Sequence, residues 1–210
     1  MIISLKIIES AMIFAPEKIE DLKEKELVAN MLLRRRLTRN AKMLIYLADK
    51  LSIRNERIIY GSNYGELQES VSILENIFAS VQPSPTDFQN SVYNTPSAYF
   101  SILKGNCSEI LCVSNGDETG DNVMQTAAVK ALDEDVIFIA VCESFSIKEI
   151  GNTCNAMREC AVGFKVQKSS QEPQLLFSKI KPLKHFVPSV SKLAALHEQA
   201  NKGMIVGIEC

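Results

Sequence analysis

The sequence predicts an α/β fold, a mixed sheet of five or more strands with helices on both faces. Short apolar runs at residues 57–60, 108–113 and 136–141 alternate with helical periodicity at 66–78, 97–103 and 123–132. That order builds a parallel sheet buried on both sides. Residues 160–166 and 173–177 then read as an antiparallel pair added to it, which makes the sheet mixed. With 46% hydrophobic and 23% charged residues, the 210-residue chain has the composition of a packed domain, and its length favours one domain over residues 1–210.

Each element has a local reason. Residues 2–8 are rich in β-branched side chains and should form a strand, with Pro16 in the connection that follows. Residues 18–26 are charged and expected to face solvent. Thr38 is placed to cap a helix whose Met43, Leu44, Leu47, Ala48 and Leu51 recur at helical spacing. Residues 57–60 form a strand feeding the small-residue turn Gly61-Ser-Asn-Tyr-Gly65. Such a turn can aim backbone NH groups at an anion, but it lacks the spacing of a dinucleotide loop. The helix at 66–78 carries an apolar stripe of Leu67, Val71, Leu74, Ile77 and Phe78. Pro83 and Pro85 break the chain, and Phe88, Gln89, Asn90, Ser91, Val92 and Tyr93 read as a short strand ending at Asn94. Pro96 suits the first turn of the next helix. Residues 189–200 make a closing helix and 203–208 a last strand.

Charge and cysteine usage narrow the function classes. A formal net charge of -2 and a pI near 5.8 give no field to gather phosphates, so nucleic acid is not an expected partner. One basic cluster stands out, Arg34, Arg35 and Arg36 with Arg39 and Lys42. It reads either as structural ion pairs on a solvated segment or as a docking patch for an acidic partner. Cysteines 107, 112, 142, 154, 160 and 210 form no Cys-x-x-Cys pair, and His185 and His197 lack metal-ligand spacing. Free thiols in a reducing cytoplasm are expected, several of them buried, with no cofactor. Lys6 and Glu9 interrupt the apolar N-terminus, which reads as a strand rather than a signal peptide, and no apolar run approaches the roughly 20 residues of a membrane span.

The stretch Ser91-Val-Tyr-Asn-Thr-Pro-Ser-Ala98 resembles the nucleophile region of β-ketoacyl synthases, in which a short strand runs into Ser-Xaa-Ala-Cys-Ala-Xaa-Ser-Ala. There the Cys sits in a tight elbow and opens a buried helix. Both Ser positions and the final Ala match, and Asn94 stands at the Cys position. Arg34-Arg-Arg-Leu-Thr-Arg39, Gly61-Ser-Asn-Tyr-Gly-Glu-Leu67, Ser84-Pro-Thr-Asp-Phe-Gln-Asn-Ser-Val-Tyr-Asn94 and Asn115-Gly-Asp-Glu118 together resemble the β-ketoacyl synthase-like N-terminal domain family. The resemblance covers residues 1–170 and is strongest over 30–145. It implies a stand-alone half of the thiolase-like fold, associated with fatty-acid-like, polyketide-like or aryl-polyene-like pathways.

A condensing enzyme of this kind needs a thiolate to accept the acyl chain. A carboxamide cannot serve, so Asn94 reads as an N-cap or as an amide that hydrogen-bonds a thioester carbonyl. Cys107 and Cys112 are the nearest thiols, and neither stands at a matching position. The resemblance implies three readings: a non-catalytic subunit akin to a chain-length factor, an active enzyme with an unexpected nucleophile, or a binding module that keeps the fold. It also implies dimerisation, with itself or with a ketosynthase, through the strand before the elbow, placed here at Phe88 to Tyr93. Acyl carrier protein is the acidic partner it suggests for Arg34, Arg35, Arg36 and Arg39.

Overall fold

Burial alternates from Ile2 to Ile8, and the strand it opens, β1 (Ile2–Ala15), runs on longer than its apolar start predicts. It stays paired with β5 (Glu159–Lys168) along most of its length, through one irregularity of register between Ile7 and Glu9. The computed structural model describes residues 1–133, 135–144 and 157–210, and Cys154 lies outside them. Helices α1 (Glu24–Leu27), α2 (Met31–Arg36) and α3 (Arg39–Lys50) follow β1. Thr38 caps α3 as expected, its hydroxyl accepting from the Ala41 amide at 3.2 Å.

Then come β2 (Arg57–Gly61), α4 (Leu67–Phe78), α5 (Pro85–Asn90), α6 (Thr95–Lys104) and β3 (Ile110–Val113). Helix α7 (Thr119–Lys130) leads to β4 (Ile137–Ser144), and β5, β6 (Leu175–Leu176), α8 (Pro188–Gln199) and β7 (Ile205–Glu209) complete the fold. The seven strands lie in the order β3-β2-β4-β5-β1-β7-β6. β2 is parallel to both β3 and β4 and lies between them, so the three form the expected parallel part of the sheet. β5 is antiparallel to β4 and β1, as is β7 to β1.

Both faces of the sheet are covered. Val123, Met124 and Ala127 of α7 and Val190, Leu193 and Ala194 of α8 pack on Ile59, Ile139, Val141 and Phe164. Met43, Leu44, Leu47 and Ala48 of α3 and Tyr99 and Phe100 of α6 cover Ile58, Tyr60, Phe138 and Ala140. β4 is buried along its whole length, the two-faced burial that its unbroken apolar run predicts.

Two strand expectations are corrected. Of the segment expected to be a strand before Asn94, Phe88, Gln89 and Asn90 belong to the helix α5, and Ser91, Val92 and Tyr93 form a bend and turn. Ser84 accepts from the amides of Thr86 and Asp87, and Pro85 occupies the first helical position, a start signal that outweighs Phe88, Val92 and Tyr93 downstream. At residues 173–177 only Leu175–Leu176 is a strand. It pairs parallel with β7, not antiparallel with β5, because β1 already takes the free edge of β5.

Arg39 is not free to dock a partner. Its guanidinium grips the Glu159 carboxylate through Nε at 2.7 Å and Nη2 at 2.5 Å, and Nη2 also donates to the Ile19 carbonyl. Glu159 is buried and accepts the Ile19 amide at 2.7 Å as well. The pair ties α3 to β5 and to the loop after β1. Removing one partner of a buried pair strands the other charge in a poorly hydrated site. Arg39→Ala should therefore lower stability by about 3 kcal/mol in urea unfolding, whereas Arg35→Ala, on an exposed side chain, should stay within about 0.5 kcal/mol of the parent.

Candidate functional site

The parallel strands β2, β3 and β4 end together, and a group of buried polar side chains, Ser62, Glu66, Thr119, Glu143 and Ser189, lies about their carboxyl ends. Glu143, fully buried at the end of β4, accepts the Asn63 amide at 2.6 Å and the Ser189 hydroxyl at 2.8 Å through Oε1. Its Oε2 accepts the Ser62 hydroxyl at 2.9 Å and the Tyr64 amide at 3.2 Å. Burial pushes its pKa up, against the pull of those four donors. The turn at 61–65 thus does aim its NH groups at an anion, and the anion is the protein's own carboxylate.

Glu66 continues this polar seam. It is 4% exposed and accepts from the Thr38 hydroxyl at 3.0 Å, while the Asn40 side chain donates to the Gly65 carbonyl at 2.8 Å. Burial first, and the neighbouring Glu69 charge second, raise its pKa to about 8. Tyr60 Oη and Asn40 Oδ1 are buried here without a hydrogen-bond partner. The turn itself is held by close approach: a Cβ on Gly65, at φ +58°, would lie 2.9 Å from the Tyr93 ring. Tyr93 also donates its hydroxyl to the Asn63 carbonyl at 3.1 Å.

The geometry of a nucleophile elbow is present, but not at Asn94. Asn94 follows a helix and turn, is exposed, and its side chain makes no capping hydrogen bond to α6. The strand that runs into a tight turn and opens a buried helix is β3. Val113 leads into Ser114-Asn-Gly-Asp-Glu118, with Gly116 at φ +57°. Thr119 then begins α7, its hydroxyl donating to the Gly116 carbonyl at 2.7 Å and accepting the Asn115 amide at 3.0 Å. α7 sits against the sheet so closely that a Cβ on Gly61 would lie 2.6 Å from Val123 Cγ2, and one on Gly120 would lie 2.5 Å from the Ser189 carbonyl of α8.

This elbow carries no thiol and no imidazole. Its exposed side chains are Ser114, Asn115, Asp117 and Glu118, and two carboxylates beside a helix start oppose a nucleophilic anion. Cys112, on the edge strand just before it, is exposed, with Sγ 3.4 Å from Ser97 Oγ. Its surroundings still raise its pKa, chiefly by desolvation, which keeps it a thiol. Cys107 is exposed in the turn before β3. His197 Nδ1 lies 2.9 Å from Ser10 Oγ, its pKa lowered by burial, and His185 is exposed beside Phe186. Among the described residues no cluster of His, Cys, Asp or Glu could hold a metal ion, and no helix is long and apolar enough to cross a membrane.

The basic cluster divides. Arg34 donates to the Val28 carbonyl at 2.7 Å and Arg39 is committed to Glu159, which leaves Arg35 and Arg36 exposed. The residues expected at an interface are also split. Phe88, Val92 and Tyr93 are 72, 49 and 45% exposed, and Gln89 is exposed. Asn90 is buried, accepting from the Tyr99 hydroxyl at 2.9 Å and donating to the Arg36 carbonyl.

The family model described as "Beta-ketoacyl synthase, N-terminal domain" matches residues 12–200. The chain belongs to that family. The match runs past residue 170, so β6 and α8 are part of the family domain as well. Among solved structures, the chain is similar to one described as a ketosynthase (ApeO) in complex with its chain length factor (ApeC) from Xenorhabdus doucetiae. The TM-score is 0.69 at 18% identity, over 93% of this chain and 91% of that one. It is also similar to the ishigamide ketosynthase/chain length factor, with a TM-score of 0.62 at 11% identity over 80% and 63%. A beta-ketoacyl synthase from Burkholderia phymatum STM815 gives 0.58 at 9% identity over 80% and 59%. The chain thus spans less than two thirds of the last two, and at these identities the likeness is one of fold, the thiolase-like α/β half expected from the sequence. No curated protein matches.

Two expected outcomes follow from the polar seam. Glu143→Gln should cost about 2–4 kcal/mol in urea unfolding, because an amide nitrogen faces donors that only a carboxylate can satisfy together. Glu66 is held protonated to about pH 8 in the folded chain and ionises near its ordinary value when unfolded. The folded state therefore binds the extra proton, and stability from this group falls as pH rises from the ordinary carboxylate range to about 8, then levels. The slope in between is roughly 1.4 kcal/mol per pH unit. Glu66→Gln should flatten the dependence of melting temperature on pH over that window, and an unchanged slope would contradict the assignment.

Proposed function

We propose that this chain is a non-catalytic ketosynthase-like subunit, akin to a chain-length factor, that works beside a complete β-ketoacyl synthase in a polyketide- or fatty-acid-type pathway. The observation that carries the reading is the elbow itself: its backbone is built, yet Ser114 to Glu118 offer no thiol to take an acyl group. Membership of the β-ketoacyl synthase N-terminal domain family supports it. So does likeness in fold to a structure whose description pairs a ketosynthase with its chain length factor.

The partner surface moves with the elbow. In thiolase-like dimers the strand before the elbow pairs across the two-fold axis, and here that strand is β3, not the segment Phe88 to Tyr93. β3 is the end strand of the sheet, bonded only to β2 among the described residues, and its exposed groups are uncharged. An unprotected edge of this kind invites a further strand. Carrier-protein docking, on the same reading, falls to Arg35 and Arg36.

Incubation with malonyl- and acyl-carrier protein, followed by intact-mass measurement, tests the chemistry. The expected result is no covalent adduct on the chain and unchanged product formation when Cys112→Ala is combined with an active synthase. An acyl adduct that disappears with Cys112→Ala would make the chain an enzyme.

A further inference from the structure

Helix α4 is twelve residues long and buries none of them. Helices of that length are marginal in water, and burial of an apolar stripe normally supplies the missing stability. Here Leu67 and Val71 are half-buried, and the C-terminal part of the stripe points outward. Leu74, Ile77 and Phe78 share one side of the helix and are 52, 56 and 85% exposed. α4 packs chiefly against α5, joined to it by the Ser72 hydroxyl donating to Asp87 at 2.8 Å. α5 adds Phe88, and Val81 follows in the connection. Apolar surface grouped in this way marks an interaction site more often than a bare monomer surface.

The charge on this face selects the occupant. From residue 58 to residue 103 the chain has no Lys or Arg, but it has Glu66, Glu69, Glu75 and Asp87. Glu66 is buried in the polar seam, and the other three lie on α4 and α5. Two copies of the face brought together would oppose carboxylate to carboxylate, which disfavours self-association. A surface bearing Lys and Arg around apolar side chains would meet both features. The face is also continuous with the β3 edge: the turn between α5 and α6 is tied to the β2–α4 loop by Tyr93, and Ser97 of α6 touches Cys112 of β3.

We infer that the α4–α5 face is the docking surface for a heterologous protein that presents apolar side chains flanked by Lys and Arg. Resting on the function proposed above, that protein is the β-ketoacyl synthase partner. Its seat would cover Ile77, Phe78 and Phe88, with Glu69, Glu75 and Asp87 at the rim.

Sedimentation and hydrogen exchange of the whole chain, alone and with a complete β-ketoacyl synthase of the same organism, test this. Alone, the chain should stay monomeric, with α4 amides exchanging much faster than those of α3. The synthase should form a complex that protects α4 and α5. Ile77→Ser with Phe78→Ser should weaken it at least tenfold, and Glu75→Lys should weaken it severalfold at low salt and less at high salt. A complex whose affinity and α4 exchange ignore these variants overturns the docking face and leaves the partnership standing. Absence of any complex with the synthase overturns both. Self-association that the Ile77 and Phe78 variants abolish assigns the face to a second copy and overturns the inference.

Discussion

Glu143 is the constraint on which the carboxyl end of the parallel strands depends. A carboxyl removed from water at the end of a buried strand is tolerable only when its lone pairs are taken, and here four donors take them. Those donors come from β2's loop and from the start of α8. One side chain therefore fixes the turn at 61–65, the entry of α8 and, through α8, the seat of α7 at Gly120. Loss of this group would loosen all three elements, leaving α7 and α8 joined by apolar packing and the Lys192–Asp121 ion pair.

The same arrangement removes a chemistry. A loop whose NH groups converge after a strand is a ready anion site, but these NH groups are already occupied from within. The elbow after β3 is similar: its turn is set by Gly116, Thr119 and the tight approach of α7 to β2, none of which needs a nucleophile. The elbow persists here as a packing solution for a helix lying against a sheet. Its outward side chains are free to differ, and they are two carboxylates, an amide and a hydroxyl.

The sheet was legible where residues are buried on two sides, as in β4, whose unbroken apolar run leaves few alternatives; β2 and the edge strand β3 were legible from shorter apolar runs between turn signals. The Thr38 cap was legible because a side chain and an amide three residues apart decide it. Phe88 to Tyr93 misled because the apolar residues were weighed above Ser84, Pro85 and Asp87, which together start a helix more strongly. That error also carried the elbow to Asn94. The motif comparison matched residue types, whereas an elbow is defined by the strand before it and the buried helix after it, and only β3 and α7 supply both. Arg39 was left open between a structural ion pair and a docking patch because its partner, Glu159, is 120 residues away. The one available signal was an acid bordering an apolar strand, at Glu143 and Glu159 alike, which in a buried sheet requires a partner.

The distribution of charge explains why the two unfinished surfaces belong together. β3 leaves backbone groups unpaired, a need that any strand can meet, so the edge alone carries little discrimination. α4 and α5 leave apolar side chains rimmed by acids, a need that only an oppositely charged surface meets without repulsion. An edge that accepts many strands, placed beside a face that rejects its own copy, is an arrangement in which affinity and selectivity come from different residues. Sheet extension would supply the common hydrogen bonds, and the acidic rim would decide between a second copy of this chain and a basic partner.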